Sequence, residues 1–273
     1  MSFQSINVKK LTPRIGAEIS GVDLGRPISN SQFEEIRKAF LENQVIFFRD
    51  QTMTLDQHKD FGQYFGKLHE NPGARNPMPD HPGVIAVKAD ENSRRVSGDV
   101  WHSDVSCDEE PPAASILHIH DVPDSGGDTL FSSMYAAYDA LSGAMKAFLA
   151  GKKAVHDGEH IYRNKNGSDV ADKVYPRAEH PIVRTHPETG KKCLFVNCNF
   201  TTHIVGLSSN ESAALLKFLY RHTESLEFQC RFKWQEGSVA MWDNRCVIHY
   251  AVFDYFPQRR FGYRVTVCGD RPY

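Results

Sequence analysis

The sequence predicts a mainly β protein with flanking helices, an α+β fold whose strands form a jelly roll or barrel. Three observations predict it. Short apolar or alternating segments recur between turn signals along most of the chain, as in antiparallel sandwiches and barrels. Helical spacing is confined to the start and to two insertions, whereas βαβ folds alternate strand with helix throughout. Neither G-x-G-x-x-G nor G-x-x-x-x-G-K-[ST] occurs, so neither a Rossmann dinucleotide fold nor a P-loop is supported.

Asn30 to Phe33 opens a stretch with Phe33, Ile36, Phe40 and Leu41 at helical spacing, and this runs into the apolar segment Gln44 to Phe48. The pattern reads helix, then strand. Thr54-x-x-Gln57 has capping-box form ahead of Phe61, Tyr64 and Phe65, predicting a second helix that ends at Gly66. Residues 71–83 hold six prolines or glycines and predict a loop. Val84 to Ala89 and Ala114 to Val122 read as strands. Ile182 to Thr185 and Lys192 to Val196 read as a hairpin around Pro187-Glu188-Thr189-Gly190. Helices are expected at roughly 133–150 and at 208–222, the latter opened by a second capping box, Ser208-x-x-Glu211.

The clearest alternation is Phe228 to Trp234, followed by a Glu236-Gly237 turn and a strand from Ser238 to Trp242. In the last strand Phe261, Tyr263, Val265 and Val267 share one face, and Arg260, Gly262, Arg264 and Thr266 share the other.

With 273 residues, no repeat, no low-complexity tract and no linker, the chain is read as a single domain over 1–273. Lys and Arg number 32 against 34 Asp and Glu, for a net charge of −2. That balance provides no electrostatic basis for binding nucleic acid or an anionic membrane. No apolar run approaches the ~20 residues of a membrane span, and Met1 to Gln4 lacks the basic and apolar stretches of a leader. A cytoplasmic protein is expected. Six cysteines without a C-x-x-C pair read as reduced thiols rather than a zinc knuckle or disulfide framework.

Candidate chemistry begins at Trp101-His102-Ser103-Asp104. If the segment is extended, the imidazole and the carboxylate leave the same face and could hold one metal ion. Alone the pair is weak, because 13 histidines make a chance His-x-Asp unremarkable. His249 lies in the apolar stretch Cys246 to Tyr250, where a lone histidine is more often core than ligand. Arg260 and Arg264 leave their strand about 13 Å apart, either on a solvated face or toward the interior. Interior arginines would call for two anionic ligands, since unpaired buried cations cost several kcal/mol each. Two histidines and a carboxylate would form a facial triad for Fe(II) with three open positions, two of which a keto acid can fill. His118 and His120 on the Ala114 strand offer a rival cupin-like pair. His69 could neighbour the pocket, and Trp242 and Tyr250 flank His249 as packing.

His-x-Asp, a distal His and an Arg eleven residues further on resemble the Fe(II)/2-oxoglutarate-dependent oxygenases, specifically the taurine dioxygenase and 2,4-dichlorophenoxyacetate dioxygenase branch. The resemblance extends through Ile15 to Leu24, Trp101 to Val105, Gly126-Gly127-Asp128-Thr129, His180 to Arg184 and Trp242 through Arg264. It implies a double-stranded β-helix, a jelly-roll variant. It also implies Fe(II) held by His102, Asp104 and His249, with 2-oxoglutarate and O2 as co-substrates. By the same resemblance Arg260, helped by the Thr129 hydroxyl, takes the distal carboxylate of 2-oxoglutarate. Arg264 takes the anionic group of a small organic substrate, a sulfonate, sulfate ester or carboxylate, and Phe200 packs on it.

Where the taurine enzymes carry a substrate-contacting His and Tyr, this chain has Asn71 and Ala74, and Gly98 stands where they have Asn. Taurine is therefore not the expected substrate. The segment from His156 to Tyr175 is also shorter than its counterpart, so a different lid is expected. The family implies a dimer or tetramer. A metallohydrolase using the same triad is the alternative, and a non-catalytic anion-binding jelly roll is a further one.

Overall fold

The computed structural model describes residues 3–70, 76–163 and 174–273. The chain opens with β1 (Asn7–Lys10), β2 (Ala17–Ser20), α1 (Asn30–Asn43), β3 (Val45–Phe48) and α2 (Leu55–Gln63). There follow β4 (Val84–Ala89), β5 (Ala114–Asp121), β6 (Thr129–Ser133), α3 (Met134–Asp139) and α4 (Gly143–Leu149). The middle holds β7 (Lys153–Asp157), α5 (Glu159–Tyr162), β8 (Arg177–Pro181), β9 (Val183–Thr185), β10 (Lys192–Leu194), β11 (Thr201–Ile204) and α6 (Ser209–Thr223). Last come β12 (Gln229–Phe232), β13 (Val239–Asp243), β14 (Val247–Ala251) and β15 (Arg260–Val267).

Local signals set the helix starts. Both capping boxes form, with Thr54 and Ser208 accepting from the amides of Gln57 and Glu211 while those side chains return to the cap amides. The insertion at 133–150 divides into α3 and α4, because Ser142 caps the second. α2 ends at Gln63, short of the expected Gly66. Beyond it the chain turns at positive φ through Gly66, and Leu68 bridges to Val267 of β15.

The strands form a seven-stranded sheet ordered β1-β2-β3-β13-β5-β15-β4 and a three-stranded sheet ordered β12-β6-β14, with smaller sheets β11-β7-β8 and β10-β9. The expected hairpin is β9 and β10, in register Cys193 to Arg184. The Glu236-Gly237 turn carries the chain from the small sheet at β12 to the large one at β13. Alternation decides how the large sheet packs. Ile46, Phe48, Ile116, Met241 and Val265 face α1 and α2 through Ile36, Phe40 and Phe61. Val45, Phe47, Leu117, Ile119 and Trp242 face the small sheet through Phe131 and Phe232. Across that second interface Phe47 stacks on Phe232 with ring centroids 3.9 Å apart. Both faces of the large sheet are thus buried, and β14 and β15 confront each other across the inner space. No helix among the described residues is long and apolar enough to cross a membrane.

Candidate active site

His102 and His249 are cross-strand partners. Each backbone amide donates to the other's carbonyl, at 3.0 and 2.8 Å, which sets the two rings 4.1 Å apart by centroid. Asp104 was expected to follow His102 along an extended strand, but the pairing stops at His102 and the chain enters a turn at Asp104. The turn, with Val105 at φ 47°, swings the carboxylate back under the rings. Asp104 Oδ1 lies 3.7 Å from His102 Nε2 and 4.0 Å from His249 Nε2. All three side chains are buried, and their candidate ligand atoms lie within 4.8 Å of one another.

Each ring has its own constraint. His102 Nδ1 is 2.8 Å from the Val100 carbonyl, which makes Nδ1 the donor and leaves the Nε2 lone pair toward Asp104. Its Cε1 sits 3.0 Å from the place a Cβ on Gly98 would occupy, and Gly98 itself has φ +93°. His249 lies against Trp242 and Phe131, with centroids 4.8 and 6.1 Å away, while its Nδ1 has no partner. Burial, and then the neighbouring His102, hold His249 well below its usual value and hence neutral. Burial pushes Asp104 upward, but Arg264 and the two histidines outweigh it and hold the carboxylate well below the usual range. Two imidazoles and an anionic carboxylate constitute a donor set suited to a ferrous ion with open positions.

The alternation of β15 turns Arg260 inward rather than to water. Arg260 is 6% exposed, and its Nε and Nη2 have no hydrogen-bond partner. Its guanidinium lies 5.3 Å from the Trp234 ring centroid, and Trp234 Nε1 donates to Thr129 Oγ1 at 2.9 Å. Burial lowers the pKa of Arg260, as expected of a cation awaiting an anion. The planar fork suits a carboxylate. Arg264 also turns inward, and its Nη1 donates to Asp104 Oδ1 at 2.8 Å.

Of the other expected residues, Phe200 is buried ahead of β11 with its amide held by Asn197 Oδ1. Asn71 and Ala74 lie outside the described residues, as does half of the segment expected to form the lid. The rival pair is no metal cluster: His118 Nε2 is 3.1 Å from the Gln51 carbonyl, and neither His118 nor His120 belongs to a candidate ligand group among the described residues. His69 approaches Asp108 at 3.8 Å.

Sequence reasoning missed two features. Ser115 donates to Asp104 Oδ2 at 2.7 Å, and nothing in an apolar strand marks one serine as facing a carboxylate. A second group, His186, Asp243 and Cys246, is also close enough to hold a metal. Its carboxylate is already spanned by Arg245, through Nε at 2.8 Å and Nη2 at 2.7 Å. His186 uses Nε2 on Asp243 and accepts the Glu188 and Thr189 amides at Nδ1. These bonds occupy the donor atoms of a structural network.

A family model for the taurine catabolism dioxygenase TauD, TfdA family matches residues 7–266. The chain is 36% identical to an alpha-ketoglutarate-dependent sulfate ester dioxygenase from Pseudomonas putida, over 98% of this chain and 91% of that one. It is 35% identical to an alpha-ketoglutarate-dependent sulfonate dioxygenase of Saccharomyces cerevisiae, over 98% of this chain and 68% of that one. A crystal structure of a taurine dioxygenase from Burkholderia xenovorans superposes with a TM-score of 0.86 at 38% identity, covering 98% of this chain and 91% of that one.

Proposed function

The chain belongs to the taurine catabolism dioxygenase TauD, TfdA family, and on that premise we propose how its residues carry out 2-oxoglutarate-dependent oxygenation of a small sulfate ester or sulfonate. The protein is an Fe(II)- and 2-oxoglutarate-dependent dioxygenase that uses O2. The metallohydrolase alternative is not supported, since these relatives are dioxygenases. Two readings accompany the proposal. The facing sheets form a double-stranded β-helix, and residues 1–273 make one catalytic domain, supported by the extent of the family match.

His102, Asp104 and His249 would hold Fe(II). When bound, the ion supplies the redox centre at which O2 is consumed, 2-oxoglutarate is converted to succinate and CO2, and a substrate C–H bond is hydroxylated. Arg260 takes the far carboxylate of 2-oxoglutarate with help from the Thr129 hydroxyl, and the Trp234 ring roofs the cation. Arg264 draws the substrate's anionic group in beside Asp104, and Phe200 supplies apolar contact. Their joint work is positioning, so that one C–H bond faces the oxidant. Asn71 contributes to the substrate pocket, and the residues at 71 and 74 favour an anion other than taurine. The six unpaired cysteines support a cytoplasmic location, and a dimer or tetramer is the expected assembly.

The observation that carries the reading is the convergence of two imidazole Nε2 atoms on one buried carboxylate, next to the partnerless Arg260. Succinate release from 2-oxoglutarate tests it, with alkyl sulfates, alkanesulfonates, aryloxyacetates and taurine as substrates. Iron-dependent release with a sulfate or sulfonate, abolished by His102→Ala or His249→Ala, is expected. Turnover that survives either substitution overturns the assignment.

A further inference from the structure

Asp104 has two oxygens with different neighbours, and the difference traces to residues outside the His102, Asp104 and His249 triad. Oδ1 faces the two imidazoles and Arg264, whereas Oδ2 accepts the Ser115 hydroxyl at 2.7 Å. Ser115 has a single proton, so to donate to Asp104 it must receive its other bond as an acceptor. Asn244 supplies that bond: its Nδ2 donates to Ser115 Oγ at 3.0 Å. Asn244 is oriented in turn by Trp242, whose Nε1 donates to Asn244 Oδ1 at 3.0 Å, with the Asp104 amide reaching the same oxygen at 3.4 Å. Its carbonyl also accepts from Ser103 Oγ at 2.8 Å. The Trp242 ring that begins this chain is the one packed on His249.

The elements explain why the relay is rigid. Trp242 pairs with Ser115 across β13 and β5, and Asn244 sits in the tight connection leading to β14. Ser115, Asn244 and Trp242 are all buried, so no water competes for these bonds, and a hydroxyl beside a buried carboxylate forms a strong charge-assisted bond. With Oδ2 held by Ser115, Asp104 turns Oδ1, which it shares with Arg264, toward the two imidazoles.

We propose that Trp242, Asn244 and Ser115 are positioning residues that act through Asp104, fixing it as a one-oxygen ligand at Oδ1 and tying its orientation to that of His249. The inference rests on the ligand assignment above. Loss of such a supporting bond to a ligand typically weakens metal binding by about 10–100-fold. Without the Ser115 bond Oδ2 is released, and the carboxylate can rotate about the Oδ1 that Arg264 still holds.

The test is Co(II) binding to the full chain, followed by calorimetry and by the visible ligand-field bands, which report coordination number. Ser115→Ala is expected to weaken Co(II) binding by about 10–100-fold and to change the band intensities. Ser115→Ala protein with the affinity and spectrum of wild type overturns the proposal, whatever its melting temperature, because a merely structural serine moves only the latter. Should Ser115→Ala fail to fold, Trp242→Phe removes the indole N–H while retaining a ring against His249, and must shift the same bands. Failure of the ligand assignment looks different: Asp104→Ala would then bind Co(II) as wild type does.

Discussion

Arg264 Nη1 donates to Asp104 Oδ1 across 2.8 Å, the same oxygen that His102 Nε2 and His249 Nε2 face. The arginine read from sequence as a substrate contact is thus also a neighbour of the carboxylate proposed to hold the metal. Replacing it should separate two effects. If Arg264 holds the substrate anion as proposed, Arg264→Gln removes a charge-assisted bond worth about 1.5–3 kcal/mol and should raise KM for a sulfate ester by roughly 10–100-fold. It also removes a cation beside the proposed metal site, so Mn(II) should bind Arg264→Gln at least as tightly as wild type. Initial rates and calorimetry check the two halves; an unchanged KM refutes the substrate role.

Arg260 offers the opposite trade between stability and function. Its Nε and Nη2 are buried without partners, a state that costs several kcal/mol until an anion arrives. Arg260→Met keeps much of the stem and removes the charge. In the absence of 2-oxoglutarate its melting temperature should equal or exceed that of wild type, while the rise on adding 2-oxoglutarate should vanish. Differential scanning with and without 2-oxoglutarate reads both. A large loss of stability in the ligand-free variant would mean that Arg260 is already paired.

The fold was largely legible because period and caps are local signals. Thr54 with Gln57 and Ser208 with Glu211 mark their helices in four residues, and Arg260 to Val267 shows its two faces at sight. Which face of that strand turns inward is not local. It depends on β4 and β5 flanking β15, and the strand read alone left it open. His102 and His249 were recognised through the motif, yet the turn that presents Asp104 was not. Ser115 and Asn244 escaped for the same reason, since their meaning lies in contacts spanning 11 and 129 residues of sequence. The residues at 71 and 74, on which substrate choice was read, lie outside the described structure.

Acid should unfold the protein through buried histidines outside the proposed metal-binding triad. Burial pushes His58 and His156 down to about 3, and His118 and His180 down to about 4. Neighbouring histidines add to the effect at His58, His118 and His156. In the unfolded chain each returns to about 6.5. Below that value the unfolded state binds protons that the folded state refuses, so stability is complete above pH 6.5 and drains as pH falls toward 4. Each such histidine contributes a slope of about 1.4 kcal/mol per pH unit in that window. Urea midpoints measured from pH 7.5 to 5 should fall steadily below 6.5, and a flat profile would contradict the buried neutral state of these rings.

Gly98 should prove indispensable to the geometry of His102. Its φ of +93° is strained for any side chain, and an added Cβ would lie 3.0 Å from His102 Cε1 and 3.6 Å from Nε2. The ring cannot retreat freely, because Nδ1 is tied to Val100 and the backbone to His249. Gly98→Ala therefore combines about 1–2 kcal/mol of backbone strain with displacement of the nitrogen meant for the metal. Gly98→Asn lessens the backbone part, since Asn tolerates positive φ, but keeps the steric part. If the steric contact dominates, both variants should bind Mn(II) more weakly than wild type while Gly98→Asn recovers part of the lost melting temperature. Wild-type Mn(II) affinity in Gly98→Asn would show that the ring has room to move and that the glycine serves the turn alone.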